Sequence, residues 1–152
     1  MASLGTVTDN GDGTWSWSYA AVDGPDESQV VSITAEDEDS ATTVESFQLN
    51  VSNAAPTLTS DNATVTTTEG DTATNTGSVA DAGLDTVTLT ASIGTVTESL
   101  GTWSWSYSST DGPDQSQTVT ITATDSDGTT TDITFDLVVE NVAPTVSVDN
   151  AT

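Results

Sequence analysis

Carboxylates are the only charged side chains this sequence brings to chemistry. Of its 152 residues, 24 are Asp or Glu and none is Lys, Arg or His, which gives a formal charge of −24, and Cys is absent as well. Proton shuttling and acyl transfer most often rest on His, Cys or Lys, and phosphate and nucleic-acid recognition on Arg and Lys. Those classes are excluded, and no nucleic-acid partner is expected. Glycoside hydrolysis needs two carboxylates facing each other at about 5–10 Å across a cleft, and nothing in the spacing selects such a pair, so the chain does not read as an enzyme. What clustered carboxylates do well is hold a hard divalent cation: calcium takes about 6–8 oxygen ligands at roughly 2.3–2.6 Å. An acidic surface with no internal cation repels itself and calls for salt or bound metal.

The elements that must carry those carboxylates are strands. Only 34% of the chain is hydrophobic, and Thr, Ser and Val dominate; β-branched residues fit a pleated surface, while Ser, Thr and Asp disfavour helix interiors. Apolar residues alternate with polar ones, as half-buried strands require. Val87, Leu89 and Ala91 share one parity, as do Trp103, Trp105 and Tyr107, then Val119, Ile121 and Ala123, then Ile133, Phe135, Leu137 and Val139. Weaker strands fall near Thr64–Thr67, Thr76–Val79 and Thr95–Thr97. The opening MASLGT has neither a basic nor an apolar export region, and no apolar run is long enough to cross a bilayer, so membrane insertion is not expected. Without Cys, disulfide usage says nothing about the compartment.

A repeat of about 88 residues organises these strands. The string WSWSY at Trp15–Tyr19 recurs at Trp103–Tyr107, DGPD at Asp23–Asp26 recurs at Asp111–Asp114, and DNAT at Asp61–Thr64 recurs at Asp149–Thr152. Self-similarity at so long a period signals an array of domains. Seven strands, at positions A to G, fit a two-sheet sandwich. The fold expected is all-β, with tandem immunoglobulin-like (cadherin-like) antiparallel β-sandwich repeats. Pro56 and Pro144 each follow a G strand and fix an extended passage to the next module. Residues 56–143 therefore form one complete repeat, 3–55 a partial repeat holding strands D to G only, and 144–152 the first strand of a following repeat.

The runs GTWSWSY, DGPDQSQTVTITATDSDG and FDLVVENVAPTV resemble bacterial cell-surface immunoglobulin-like repeats of the cadherin-like, VCBS and PKD-type kind. The resemblance covers essentially the whole chain. It implies a secreted or cell-surface protein whose acidic loops and linkers bind calcium between successive domains and stiffen the array for adhesion or a surface matrix. The linkers here, VSNAAP and VENVAP, lack the linker Asp of those relatives.

If strands alternate in direction, the loops of one module that face the next collect acidic residues. Between the partial and complete repeats the expected metal ligands are Asp23, Asp26 and Glu27 from the first, Asp81, Asp85, Asp125 and Asp127 from the second, and Asn53 from the linker. DNGDG at Asp9–Gly13 imitates the start of an EF-hand loop but reads as a hairpin turn, since the second copy has ESLG. Trp15, Trp17, Trp103 and Trp105 read as core rather than as a sugar-stacking platform. Asn62-Ala63-Thr64 matches a glycosylation acceptor, which chance explains in a chain so rich in Thr. The partners expected are neighbouring repeats of the same protein, with a homo-polymer as the alternative. In that polymer residues 144–152 dock on the incomplete repeat of another copy, bringing Glu69, Asp71, Asp111, Asp114 and Glu140 against Glu36, Asp37, Glu38 and Asp39 around further calcium.

Overall fold

Strict alternation in the Thr- and Ser-rich segments puts one row of side chains inward and one row into water, and among the described residues strands are the only regular elements longer than a turn. The computed structural model describes residues 1–83 and 85–149, and its contacts divide the chain into two units. Met1–Ala54 with Ala82–Asp85 makes the first; Ala55–Asp81 with the chain from Thr86 onward makes the second.

The first unit consists of two hairpins. Strands β1 (Thr6–Asp9) and β2 (Trp15–Ser18) pair antiparallel with Val7 opposite Trp17, and β3 (Gln29–Glu36) pairs with β4 (Thr42–Leu49) with Val31 opposite Phe47. In the lettering of the repeat these are strands D, E, F and G. A fragment of the C position is also present, because Ala2 bridges Ile33 and the Met1 carbonyl accepts the Thr34 N–H at 2.8 Å. The Asp9–Gly13 turn closes on its own carboxylates: Gly11 N–H donates to Asp9 Oδ1 at 2.9 Å and Thr14 N–H to Asp12 Oδ1 at 3.0 Å. It is a hairpin turn, and the Thr14 hydroxyl and N–H hold Asp12 below the usual carboxylate range.

The second unit runs β5 (Thr57–Leu58), β6 (Thr64–Thr68), β7 (Thr72–Ala80), β8 (Thr88–Ala91), β9 (Thr95–Ser99), β10 (Thr102–Ser108), β11 (Gln117–Thr124) and β12 (Thr130–Glu140). One sheet has the order β5-β7-β10-β9 and the other β6-β12-β11-β8. All pairs are antiparallel except β6 with β12. This is the strand order A-B-E-D against A′-G-F-C, an immunoglobulin-like sandwich. The core between the sheets holds Trp103 and Trp105, 0% and 1% exposed, against Phe135, Leu137 and Ile121. Each indole N–H finds a carbonyl, Trp103 Nε1 donating to Thr59 O at 2.9 Å and Trp105 Nε1 to Ile93 O at 2.7 Å, so neither ring carries an unmet donor inward.

Among the described residues of the second unit eight strands stand where seven were expected, because the first strand is split. Residues 59–63 cross from one sheet to the other and are tied down by the buried Asn75, whose Nδ2 donates to Ser60 Oγ at 3.1 Å and Asn62 O at 3.0 Å. One N–H of the Asn62 side-chain amide donates to Asn75 Oδ1 at 3.1 Å, so the amide of the glycosylation pattern is part of this network.

The two units repeat each other down to ring geometry. Trp17 meets Phe47 edge-on with centroids 5.0 Å apart, and Trp105 meets Phe135 in the same way at 4.9 Å. Trp17 Nε1 donates to Leu4 O at 2.7 Å as Trp105 does to Ile93 O. One expectation fails: Trp15 is 52% exposed, whereas its equivalent Trp103 is fully buried. The reason is the absence from the first unit of the strands that cover Trp103, β5 and β7. Residues 141–149 form no strand, and residues 150–152 of the expected following strand lie outside the described residues.

Candidate metal centre

The loop between β2 and β3 is built around one carboxylate. Glu27 Oε2 accepts the N–H groups of Val22 and Asp23 at 2.7 and 3.0 Å, and Glu27 Oε1 accepts the Tyr19 hydroxyl. The Tyr19 hydroxyl, then the Asp23 and Val22 amides, hold Glu27 below the ordinary carboxylate range, and the same contact pushes the Tyr19 phenol up. Eighty-eight positions on, Gln115 Oε1 accepts Thr110 N–H at 2.8 Å and Asp111 N–H at 3.2 Å. A neutral amide caps the same loop there, so the position needs an acceptor and not a charge.

That capped loop presents Asp23. Its side chain is half-buried, and its carboxyl is pushed up, first by burial and then by the negative charges of Asp85, Asp26 and Glu27. Within the first unit, an oxygen of Asp23 and an oxygen of Asp85 lie within 4.8 Å of each other. Two oxygens bound to one calcium at about 2.4 Å can stand no further apart than about 4.8 Å. The pair therefore fits a shared cation.

Asp81 supplies the strongest test of fit for the calcium that the resemblance implies. It follows β7, and both of its carboxylate oxygens are buried with no hydrogen-bond partner among the described residues. A buried charge is tolerated when it is paired or coordinates a metal. With no Lys, Arg or His in the sequence, no side-chain cation can pair it, and the carboxylate fits a metal cation. Donor type also fits, since hard oxygen donors suit calcium better than softer metals.

The remaining expected ligands divide by what already occupies them. Asp125 is 5% exposed and accepts the Thr129 N–H at 2.7 Å, closing the β11–β12 turn. Asp37 does the same for the β3–β4 turn, accepting Asp39 N–H and Ala41 N–H at 3.0 and 2.9 Å. Asp127 and Asp39 stand exposed in those turns, with Glu36 exposed beside the latter and Asn53 half-buried in its linker. Glu69, in the β6–β7 turn, accepts Gly112 N–H on Oε2 and Val142 N–H on Oε1, both at 2.7 Å, and these two amides hold it below the usual range. It thus clamps two loops of the second unit together. Asp26, Asp111, Asp114 and Glu140 are exposed. Sequence reasoning missed the capping roles of Glu27 and Glu69. For Glu27 a signal existed in the Gln at its repeat position.

No family model and no curated protein sequence matches the chain. Among solved structures it is similar to the titin domains Z1Z2 in complex with telethonin, at 17% identity over 78% of this chain and 64% of that one, with a TM-score of 0.49. A chimeric titin Z1Z2 functionalised with an exogenous decorin peptide matches at 20% identity over 60% of this chain and 100% of that one, with a TM-score of 0.47. The BIgI domain of the β protein from S. agalactiae, bound to CEACAM1, matches at 19% identity over 58% of this chain and 99% of that one, with a TM-score of 0.44. These likenesses stay below a TM-score of 0.5, and the fold assignment rests on the sheet order and register. No helix of the described residues is long and apolar enough to cross a membrane.

Proposed function

We propose that the chain is a calcium-stiffened structural repeat of a long extracellular or cell-surface adhesin or matrix protein, of the cadherin-like, VCBS or PKD-type kind. The observation that carries this reading is Asp81, a buried and unpartnered carboxylate in a chain without a cationic side chain. Asp23 and Asp85 support it with oxygens close enough to share an ion. Calcium, when bound, supplies the positive charge that the polypeptide lacks and resists bending of the array. Extracellular modules bind calcium with dissociation constants of about 10⁻⁴–10⁻³ M, which suits a protein that meets millimolar calcium outside the cell.

The polymer reading has less to support it. β5, the repeat equivalent of residues 145–146, pairs with β7, and residues 1–54 contain no β7 equivalent. A donated tail would lack the partner strand that β5 has.

Thermal melting in chelator with molar NaCl, set against melting in millimolar calcium at low NaCl, tests the proposal. Calcium is expected to raise the melting temperature well beyond what NaCl achieves. Equal stabilisation by both would reduce the acidity to a general salt requirement and overturn the calcium role.

A further inference from the structure

The β1–β2 turn holds a side-chain amide next to a base. Asn10 is the one asparagine of the sequence followed by Gly; every other Asn is followed by Val, Ala or Thr. Gly alone sets no Cβ beside the backbone nitrogen that follows an Asn amide. Asn10 and Gly11 are both exposed, and a Cβ built on Gly11, at a φ of +75°, would meet nothing within 4 Å. The Gly11 N–H lies outside both strands and donates to Asp9 Oδ1 at 2.9 Å. That distance falls within the reach of about 2.6–3.2 Å that a general base requires. On the other side of the turn Thr14 Oγ1 accepts from Asn10 Nδ2 at 2.9 Å and donates its own O–H to Asp12 Oδ1 at 2.6 Å. The amide is thereby oriented with its nitrogen toward Thr14.

We infer that Asn10–Gly11 is a self-modifying site at which Asp9 serves as the base. The Asp9 carboxylate takes the Gly11 N–H proton, and the freed electron pair attacks Asn10 Cγ. A C–N bond forms and closes a five-membered succinimide, while the Asn10 Cγ–Nδ2 bond breaks. Nδ2 leaves as ammonia, carrying the proton that Asp9 took. Solvent water then opens the ring at either carbonyl and restores the chain as Asp or as isoaspartate. The balance is one water consumed and one ammonia released. The product exchanges a donor for an acceptor: the new carboxylate has no N–H to give Thr14 Oγ1, and it adds negative charge beside Asp9 and Asp12. The isoaspartate form also lengthens the backbone of the turn by one carbon. At the corresponding turn of the second unit the sequence is ESLG, without Asn, so the change is confined to the first.

The test incubates the full chain at neutral pH in heavy-oxygen water, cuts it with chymotrypsin after Leu4 and Trp15, and measures the mass of the fragment between. The expected result is a gain with time located at Asn10, carrying one solvent oxygen and divided between Asp and isoaspartate. The Asp9→Ser chain keeps a hydroxyl to accept the Gly11 N–H but has no carboxylate there. It should react several-fold or more slowly, where a fully positioned base contributes about 10²–10⁴-fold. No gain at Asn10, a gain spread equally over the other asparagines, or an Asp9→Ser chain that reacts as fast would each overturn the inference.

Discussion

Replacing Gly77 by Ala tests the architecture at its tightest point. The Trp103 ring packs against Gly77 of β7, and an added methyl would stand 2.0 Å from Thr59 O and 2.7 Å from Trp103 Cε2 and Cζ2. Neither neighbour can yield cheaply. Thr59 O is backbone that accepts the Trp103 indole N–H at 2.9 Å, and the ring is fully buried. Overfilling a packed core costs about 1–3 kcal/mol, and losing the partner of a buried donor costs about 1–3 kcal/mol more. The sum is about 2–6 kcal/mol. For a domain of this size each kcal/mol lowers the melting temperature by about 4–8 °C, so a fall of roughly 10–50 °C is expected. Scanning calorimetry together with the red shift of tryptophan emission measures it. A loss under about 1 kcal/mol, with emission unchanged, would refute the idea that β5, β7 and Trp103 form one close-packed unit.

Three further outcomes follow from particular side chains. Asp81→Asn removes an unpartnered buried charge, so in chelator the variant should melt higher than the parent, and in millimolar calcium, lower; the same ranking in both buffers would contradict a metal at Asp81. Glu27 and Glu69 are held below the ordinary carboxylate range by their donors. Their contribution is therefore present above the unfolded pKa of about 4.3 and lost as pH falls through the lower folded value. Glu69→Gln should flatten that acid loss while melting lower near neutral pH, and an unchanged acid profile would count against the clamp. Trp103→Ala should destabilise by about 3–5 kcal/mol, whereas Trp15→Ala, at a half-exposed ring, should cost under about 1 kcal/mol; equal losses in chemical denaturation would mean that Trp15 is covered.

The parity of Trp103, Trp105 and Tyr107, and of Ile133, Phe135, Leu137 and Val139, made the inner faces of both sheets legible, because a period of two permits one assignment of sides. The split of the first strand was not legible. It depends on Asn75 reaching Ser60 and Asn62, a contact between residues with no shared local pattern. Trp15 and Trp103 sit in the same string of five residues, yet one is open and the other closed; burial there is a property of the strand alongside, which the string does not contain. Among the acidic residues, position in a loop could be read, but occupation could not. Whether a carboxylate caps its own loop, as Glu27 and Glu69 do, or lies buried without a partner, as Asp81 does, is decided by where backbone N–H groups point.

Isothermal titration calorimetry of the full chain with calcium at low ionic strength bears most directly on the need for an external divalent counter-charge. Saturable heat with a dissociation constant of about 10⁻⁴–10⁻³ M is expected, weakened in an Asp23→Asn, Asp85→Asn double variant and weakened as pH falls toward the raised pKa of Asp23. A flat titration, or one that the double variant reproduces unchanged, would contradict it.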